Sequence, residues 1–276
     1  MKRFLFFIMS FISVITFAQQ PVELPLWPGG APNTNGLTEK EKEVSHLQPM
    51  IRVGKSYLGT KYVANTLDES PEEKLVIQPQ KVDCLTFVEY VLAQALSSDI
   101  TRNLQNIRYR DGIIDGYPSR LHYTSDWIEN GVRHGYLEDI TAENSSYINK
   151  LSLSFMSTHP ELYKQLANSP ENVKRIAECE KALTGKTVHI LPKNKLPDKG
   201  LPWIEDGDII AITTSLPGLD IAHVGIANYI SGNLHLLHAS SSLGKVVISE
   251  KPLRNMLDNH KSWTGIRVVR MSHPKK

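Results

Sequence analysis

The amino-acid sequence predicts an α+β fold, and two features of the pattern carry that reading. A helical and loop-rich front half gives way, after the Lys- and Pro-rich connector LPKNKLPDKGLP (residues 191–202), to short β-branched runs separated by turns. Within the front half, VDCLTFVEYVLAQAL places Cys84, Phe87, Val88, Val91, Leu92 and Ala95 on one helical stripe, which marks a core helix opened by a cysteine. With 276 residues, 41% hydrophobic and 22% charged, the chain has the composition of a globular protein with a real core. Its formal charge of +2 is too small to hold a polyanion, so nucleic acid is not an expected partner.

From the N-terminus, Lys2 and Arg3 precede an apolar run from Phe4 to Phe17 that ends in Thr16-Phe17-Ala18. This reads as a signal peptide over residues 1–18, cleaved after Ala18, because the run is shorter than the roughly 20 apolar residues a bilayer span needs. No cysteine follows to take a lipid, so no stable membrane anchor is expected, and the protein is expected to be periplasmic or secreted. QQPVELPLWPGGAPNTNG is too rich in Pro, Gly and Asn for a regular element and is expected to form an extended arm over 19–37. That leader resembles those of some secreted carbohydrate esterases, but the nucleophile elbow G-x-S-x-G occurs nowhere in the chain.

A single domain is expected over 38–276, with a mainly helical insertion at about 97–200. A helix is expected within 38–58, then the helix opened by Cys84, then helices near 154–167 and 170–183. The strand region follows as DGDIIAITT, HVGIANYI, LHLLHAS, KVVISE and GIRVVRM, with Ser231-Gly232-Asn233 as a hairpin turn. An exported chain with two cysteines could join Cys84 to Cys179 in a disulfide. Cys179, however, lies in a helical pattern with Val173, Ile176 and Leu183, which suits a structural thiol.

Cys84 follows Asp83 at a helix start, where free N–H groups and the helix dipole are expected to favour the thiolate. A thiolate nucleophile needs an imidazole to share its proton and a third polar group to orient that ring. His223 opens one predicted strand and His238 ends the next, so a hairpin can bring them together. His235, three residues before His238, should face the other way, and His238 is the expected partner. A zinc site built from these residues is weakly supported, since neither paired Cys motifs nor HExxH is present.

The strings LGTKYV, VDCLTFVE, DGDIIAI, HVGIA and LLHASS resemble, in the same order, motifs of the NlpC-type papain-like cysteine peptidases and amidases of bacterial cell walls. More narrowly, LGTKYVANTLD, DCLTFVEYVLA, SRLHYTSDWI, GLDIAHVGIA and HLLHASS resemble a secreted N-acetylmuramoyl-L-alanine amidase family, over about 44–271. The resemblance implies a papain-like core with the nucleophile helix packed on an antiparallel sheet. It implies Cys84 as nucleophile, His223 as base, His238 as orienting residue and Tyr62 beside the site. The superfamily's DCSG stands here as Asp83-Cys84-Leu85-Thr86, and the loop between the histidines is longer than usual.

The segment carrying His122, Tyr123, Ser125, Asp126 and Trp127 belongs to the narrower family, and its polar groups beside aromatic rings suit a sugar or peptide ligand. The implied activity is cleavage of the amide between N-acetylmuramic acid, in its reducing or 1,6-anhydro form, and L-alanine. The implied partner is peptidoglycan or a muropeptide, acted on by a monomer with no metal or organic cofactor. A D-glutamyl-diamino acid endopeptidase of the same superfamily is the rival enzyme. The non-enzymatic rival is a wall-binding module with Cys84 locked to Cys179.

Overall fold

The computed structural model describes residues 49–272, so the expected signal peptide and arm lie outside the described residues. Helix α1 (Pro49–Ser56) turns through Gly59 into two short parallel strands, β1 (Lys61–Tyr62) and β2 (Lys81–Val82). Helix α2 (Cys84–Leu96) starts at once after β2. Asp83 caps it: its carboxylate accepts the Thr86 N–H at 2.8 Å while the Thr86 hydroxyl accepts the Asp83 N–H at 2.9 Å. Phe87, Val88, Tyr90, Val91, Leu92 and Ala93 are all fully buried, so α2 is covered around most of its circumference.

Helix α3 (Ile100–Arg108) packs beside it and α4 (Thr124–Arg133) packs on α3, followed by β3 (Leu137–Asp139). A separate two-stranded sheet joins β4 (Ile148–Lys150) to β5 (Thr187–His189), and α5 (Pro170–Leu183) lies between them in sequence. The long helix expected near 154–167 is broken into a turn at Phe155–Thr158 and a 3₁₀ turn at Pro160–Leu162. Pro160 is the cause: it moves His159 out of helical backbone, to φ −130° and ψ 52°.

The strand region forms as the pattern predicts. After β6 (Leu191–Pro192) come β7 (Ile209–Thr214), β8 (Ile221–Ile230), β9 (Asn233–Ser240), β10 (Lys245–Ile248), helix α6 (Leu253–Asn259) and β11 (Trp263–Met271). The main sheet has nine strands in the order β2-β1-β10-β9-β8-β7-β11-β3, with β6 also paired to β11. Ser231 (φ 50°) and Gly232 (φ 80°) both adopt left-handed backbone between the paired Ile230 and Asn233, a two-residue turn matched to strand twist.

Both faces of this sheet are covered, which is why β7 reads as the unbroken apolar run IIAI rather than as an alternation. Ile209, Ala211, Val224, Ile226, Leu237 and Ala239 pack with α1 and α2. Ile210, Ile212, Ala227, Leu234 and Leu236 pack on the other side with Leu253, Leu257, Ile266 and Val268. The chain is therefore a mixed α+β structure with the helix opened by Cys84 on one face of a mainly antiparallel sheet.

Candidate active site

The capping box sets Cys84 as the first residue of α2, where its own N–H and that of Leu85 face the sulfur. The N–H of Val224, on β8, also reaches this sulfur, so the strand that carries His223 lies against the thiol. The sequence-based expectation was a stabilised thiolate, and these three amides do act in that direction. Burial and the charge of Asp83 outweigh them and push the half-buried Cys84 thiol up to about 12. The capping carboxylate that organises the helix start also opposes the thiolate there.

His223 and His238 come together across the hairpin, with His223 Nε2 and His238 Nδ1 at 2.8 Å and the rings perpendicular. Nε2 of His223 is thereby occupied, which leaves Nδ1 as the nitrogen available to a thiol. No hydrogen bond joins that ring to the Cys84 sulfur among the described residues. Burial and the neighbouring His238 lower His223 to about 3, and burial lowers His238 to about 4. Both rings are neutral at pH 7. His235 is turned elsewhere: its Nδ1 donates to the Ser249 carbonyl at 2.8 Å.

Tyr62 lies beside this helix start, since β1 pairs with β2 at Tyr62 and Val82, two residues before Cys84. Burial first, then the Cys84 and Asp83 charges, raise its phenol. A pocket of about 170 Å³ opens next to the start of α2, lined in part by Asp83, Leu85, Thr86, Tyr117, Arg120 and His122. His122 therefore faces the cleft, its Nε2 donating to the Tyr117 carbonyl at 2.9 Å and its ring tilted over Tyr117. The carboxylates around this pocket already have partners: Asp68 with Arg120 at 2.8 Å, Glu89 with Arg108 at 2.8 Å, and Asp83 in the cap.

The rest of the expected substrate segment goes elsewhere. Trp127 is 1% exposed within the core around α2, and Tyr123 donates to Glu180 on α5 at 2.7 Å, so both rings pack the protein. Ser125 is buried, its N–H on Asp220 at 2.6 Å and its hydroxyl accepting from Arg267 at 3.0 Å. Asp126 is ion-paired with Arg110 and lines a separate pocket of about 420 Å³ with Cys179. Packing thus claims three of the five positions, because α4 and the residue that precedes it are covered on more than one side.

Cys84 and Cys179 are both free thiols, so the disulfide on which the wall-binding alternative rested is not formed. Among the described residues no group of three or more His, Cys, Asp or Glu is arranged to hold a metal ion. Nor is any described helix long and apolar enough to cross a membrane.

Two residues near the site went unread in the sequence. Trp263 stacks parallel to His223, with ring centroids 5.9 Å apart at an interplanar angle of 6°, and His260 stacks on Trp263 at 3.8 Å. Their only sequence signal is the spacing of a histidine three positions before a tryptophan at a strand start.

A family model described as N-acetylmuramoyl-L-alanine amidase-like matches residues 52–266. The chain belongs to this N-acetylmuramoyl-L-alanine amidase-like family. Among solved structures, an N-acetylmuramoyl-L-alanine amidase from Bacteroides uniformis is 57% identical, with a TM-score of 0.80, covering 81% of this chain and 98% of that one. A Bacteroides fragilis protein described as a candidate xylanase is 61% identical, with a TM-score of 0.78, covering 79% of this chain and 98% of that one. A Legionella pneumophila protein, 24% identical with a TM-score of 0.63, covers 85% of this chain and 92% of that one and shares the fold. No curated protein matches. Both Bacteroides structures thus span nearly their full length on this amidase-like chain.

Proposed function

We propose that this protein is an exported cysteine amidase of the NlpC-type papain-like class. Its substrate is the amide between N-acetylmuramic acid and L-alanine in soluble muropeptides, including those ending in 1,6-anhydro-muramic acid. The observation that carries the reading is the His223–His238 pair at 2.8 Å on strands whose next amide, Val224 N–H, acts on the Cys84 sulfur. The family name and the B. uniformis relative support the choice of bond.

With the thiol raised and the imidazole lowered, the resting pair is neutral, and proton transfer accompanies attack instead of preceding it. The competent tautomer has His223 Nε2–H donating to His238 Nδ1, which leaves His223 Nδ1 as the lone pair free to take a proton. Thiol–imidazole contacts of this kind tighten when substrate binds. His223 takes the Cys84 proton as sulfur attacks the lactyl carbonyl carbon, and the oxyanion is met by the Cys84 N–H with help from the Tyr62 hydroxyl. Collapse breaks the C–N bond, and His223 gives its proton to the departing alanine nitrogen. Water then attacks the thioester, surrenders a proton to His223, and frees the muramic carboxylate and the thiol.

The xylanase name belongs to the B. fragilis protein. Glycoside hydrolysis needs two carboxylates free to act as acid and as base or nucleophile, and those beside this cleft are held by a cap or by arginine.

Mass spectrometry of defined muropeptides after incubation tests the proposal. Free stem peptide and intact disaccharide are the expected products. A disaccharide-dipeptide product would instead identify an endopeptidase, and turnover of xylan with muropeptides untouched would remove the amidase reading.

A further inference from the structure

A hydrogen bond fixes the direction of a ring atom but leaves the ring free to rotate about the bond. For His223, the contact to His238 holds Nε2 in place, and rotation about that line would swing Nδ1 through an arc. A second constraint has to fix the plane of the ring. The Trp263 indole provides one, lying within 6° of parallel to His223 at 5.9 Å, inside the range of offset stacking.

The sheet is built to bring these rings together. Strand β7 runs between β8 and β11, and both of its ladders are irregular at the same level. On one side the register shifts between Ile212 and Thr213, so that Ile212 pairs with His223 and Thr213 with Ile221. On the other it shifts between Trp263 and Gly265, opposite Thr214 and Thr213. Bulges re-aim the side chains beside them, and here each adjoins one of the two stacked rings. A hydroxyl contact of 2.7 Å between Thr213 and Thr264 secures the second irregularity. On its outer side Trp263 is held by His260, whose carbonyl accepts the Trp263 N–H at 3.2 Å and whose ring covers the indole.

We propose that Trp263, backed by His260, is the positioning residue of His223, setting the plane of the ring so that Nδ1 is aimed at the thiol while His238 holds Nε2. This rests on the reading of His223 as the base. The titratable groups around the ring are His238 on β9 and His260 before β11, and on the α2 side the Cys84 thiol meets β8 through the neighbouring Val224 N–H.

Trp263→Ala and Trp263→Phe separate this role from simple packing. In Trp263→Ala, kcat is expected to fall roughly 10- to 100-fold with KM little changed, the scale of a misaligned catalytic group. The acid limb of the rate profile should move up in pH as water reaches the ring. Trp263→Phe keeps a flat apolar face and should recover most of the rate. Histidine NMR titration reads the same ring without turnover, and the His223 signal should titrate at higher pH in the alanine variant. A folded Trp263→Ala protein with unchanged kcat and unchanged His223 titration would overturn the proposal, as would a phenylalanine variant no better than alanine. Retained activity in Cys84→Ala would instead bring down the reading of the base, whatever the ring titration shows.

Discussion

Cys84 and Cys179 are both half-buried thiols on helices, and in both burial is the main cause of a raised pKa. What differs is the company. Cys179 lies within α5 beside the Arg110–Asp126 ion pair, where the guanidinium stabilises a thiolate and the carboxylate opposes it. Cys84 stands at the first position of α2, with three amides that favour its thiolate and the strand of a neutral imidazole alongside. On the reading proposed above, the comparison teaches that the acidity of the isolated thiol would not mark the nucleophile of this fold. The imidazole carried by the neighbouring strand would.

The largest effect that can test this contrast is the paired removal of the two thiols. Cys84→Ala is expected to lower kcat on a muropeptide by at least about 1000-fold, since it removes the proposed nucleophile. Cys179→Ala should stay within about twofold of the parent, as expected of a substitution outside the site. Equal losses in the two variants would erase the distinction. Iodoacetamide protection by substrate, read by peptide mass spectrometry, should follow the same division, with Cys84 shielded and Cys179 not.

A second contrast lies within the segment from His122 to Trp127, where the sequence suggested one substrate wall and the structure divides it. Trp127→Ala should destabilise folding by about 3–5 kcal/mol, the cost of emptying a large aromatic site in a core. The fraction that remains folded should keep its KM. His122→Ala should do the opposite, changing KM with a smaller loss in the urea midpoint, because its ring lines the pocket beside Asp83 and Thr86.

That division was not legible in the sequence, because nothing local states which way α4 faces. Tyr123 is claimed by Glu180, 57 positions away, and Ser125 by Asp220 and Arg267, 95 and 142 positions away. The strands were legible because burial on both faces leaves continuous β-branched runs, and the helix start was legible because Asp83-x-x-Thr86 is a local device. His235 and His238 could be told apart because strand period alone sends them to different partners. The bulges beside β7 leave no such mark, so Trp263 next to His223 stayed hidden. The thiol's environment is hidden for a related reason: helix-start amides are visible in a sequence, whereas the desolvation that overrides them comes from distant chain.

The two strand histidines give a smaller test of the same argument. His238→Ala removes the partner that fixes Nε2 of His223 and is expected to lower kcat by roughly 100-fold, a typical share for a group serving acid–base catalysis. His235→Ala loses one bond to the Ser249 carbonyl and should cost about 1 kcal/mol of stability with little change in rate. His238→Asn, which keeps a polar partner for the imidazole, should fall between the alanine variant and the parent.

The smallest effect separates the stability of the site from its chemistry along the pH axis. His223 and His122 are lowered to about 3 and His238 to about 4, each chiefly by burial, whereas an unfolded imidazole titrates near 6.5. Between these values the unfolded chain binds protons that the native protein refuses. Stability contributed by these rings is therefore complete above about pH 6.5 and declines as pH falls towards 4. His223, the proposed base, stays neutral over most of that interval, so the rate per folded molecule should hold while the urea midpoint drops. His122→Gln, which removes one buried ring outside the thiol–histidine set, should flatten the decline in midpoint and leave the acid limb of kcat in place. If both curves moved together in that variant, the cleft histidine would belong to the proton-transfer machinery, and the boundary drawn here between the reacting set and its surroundings would have to widen to include it.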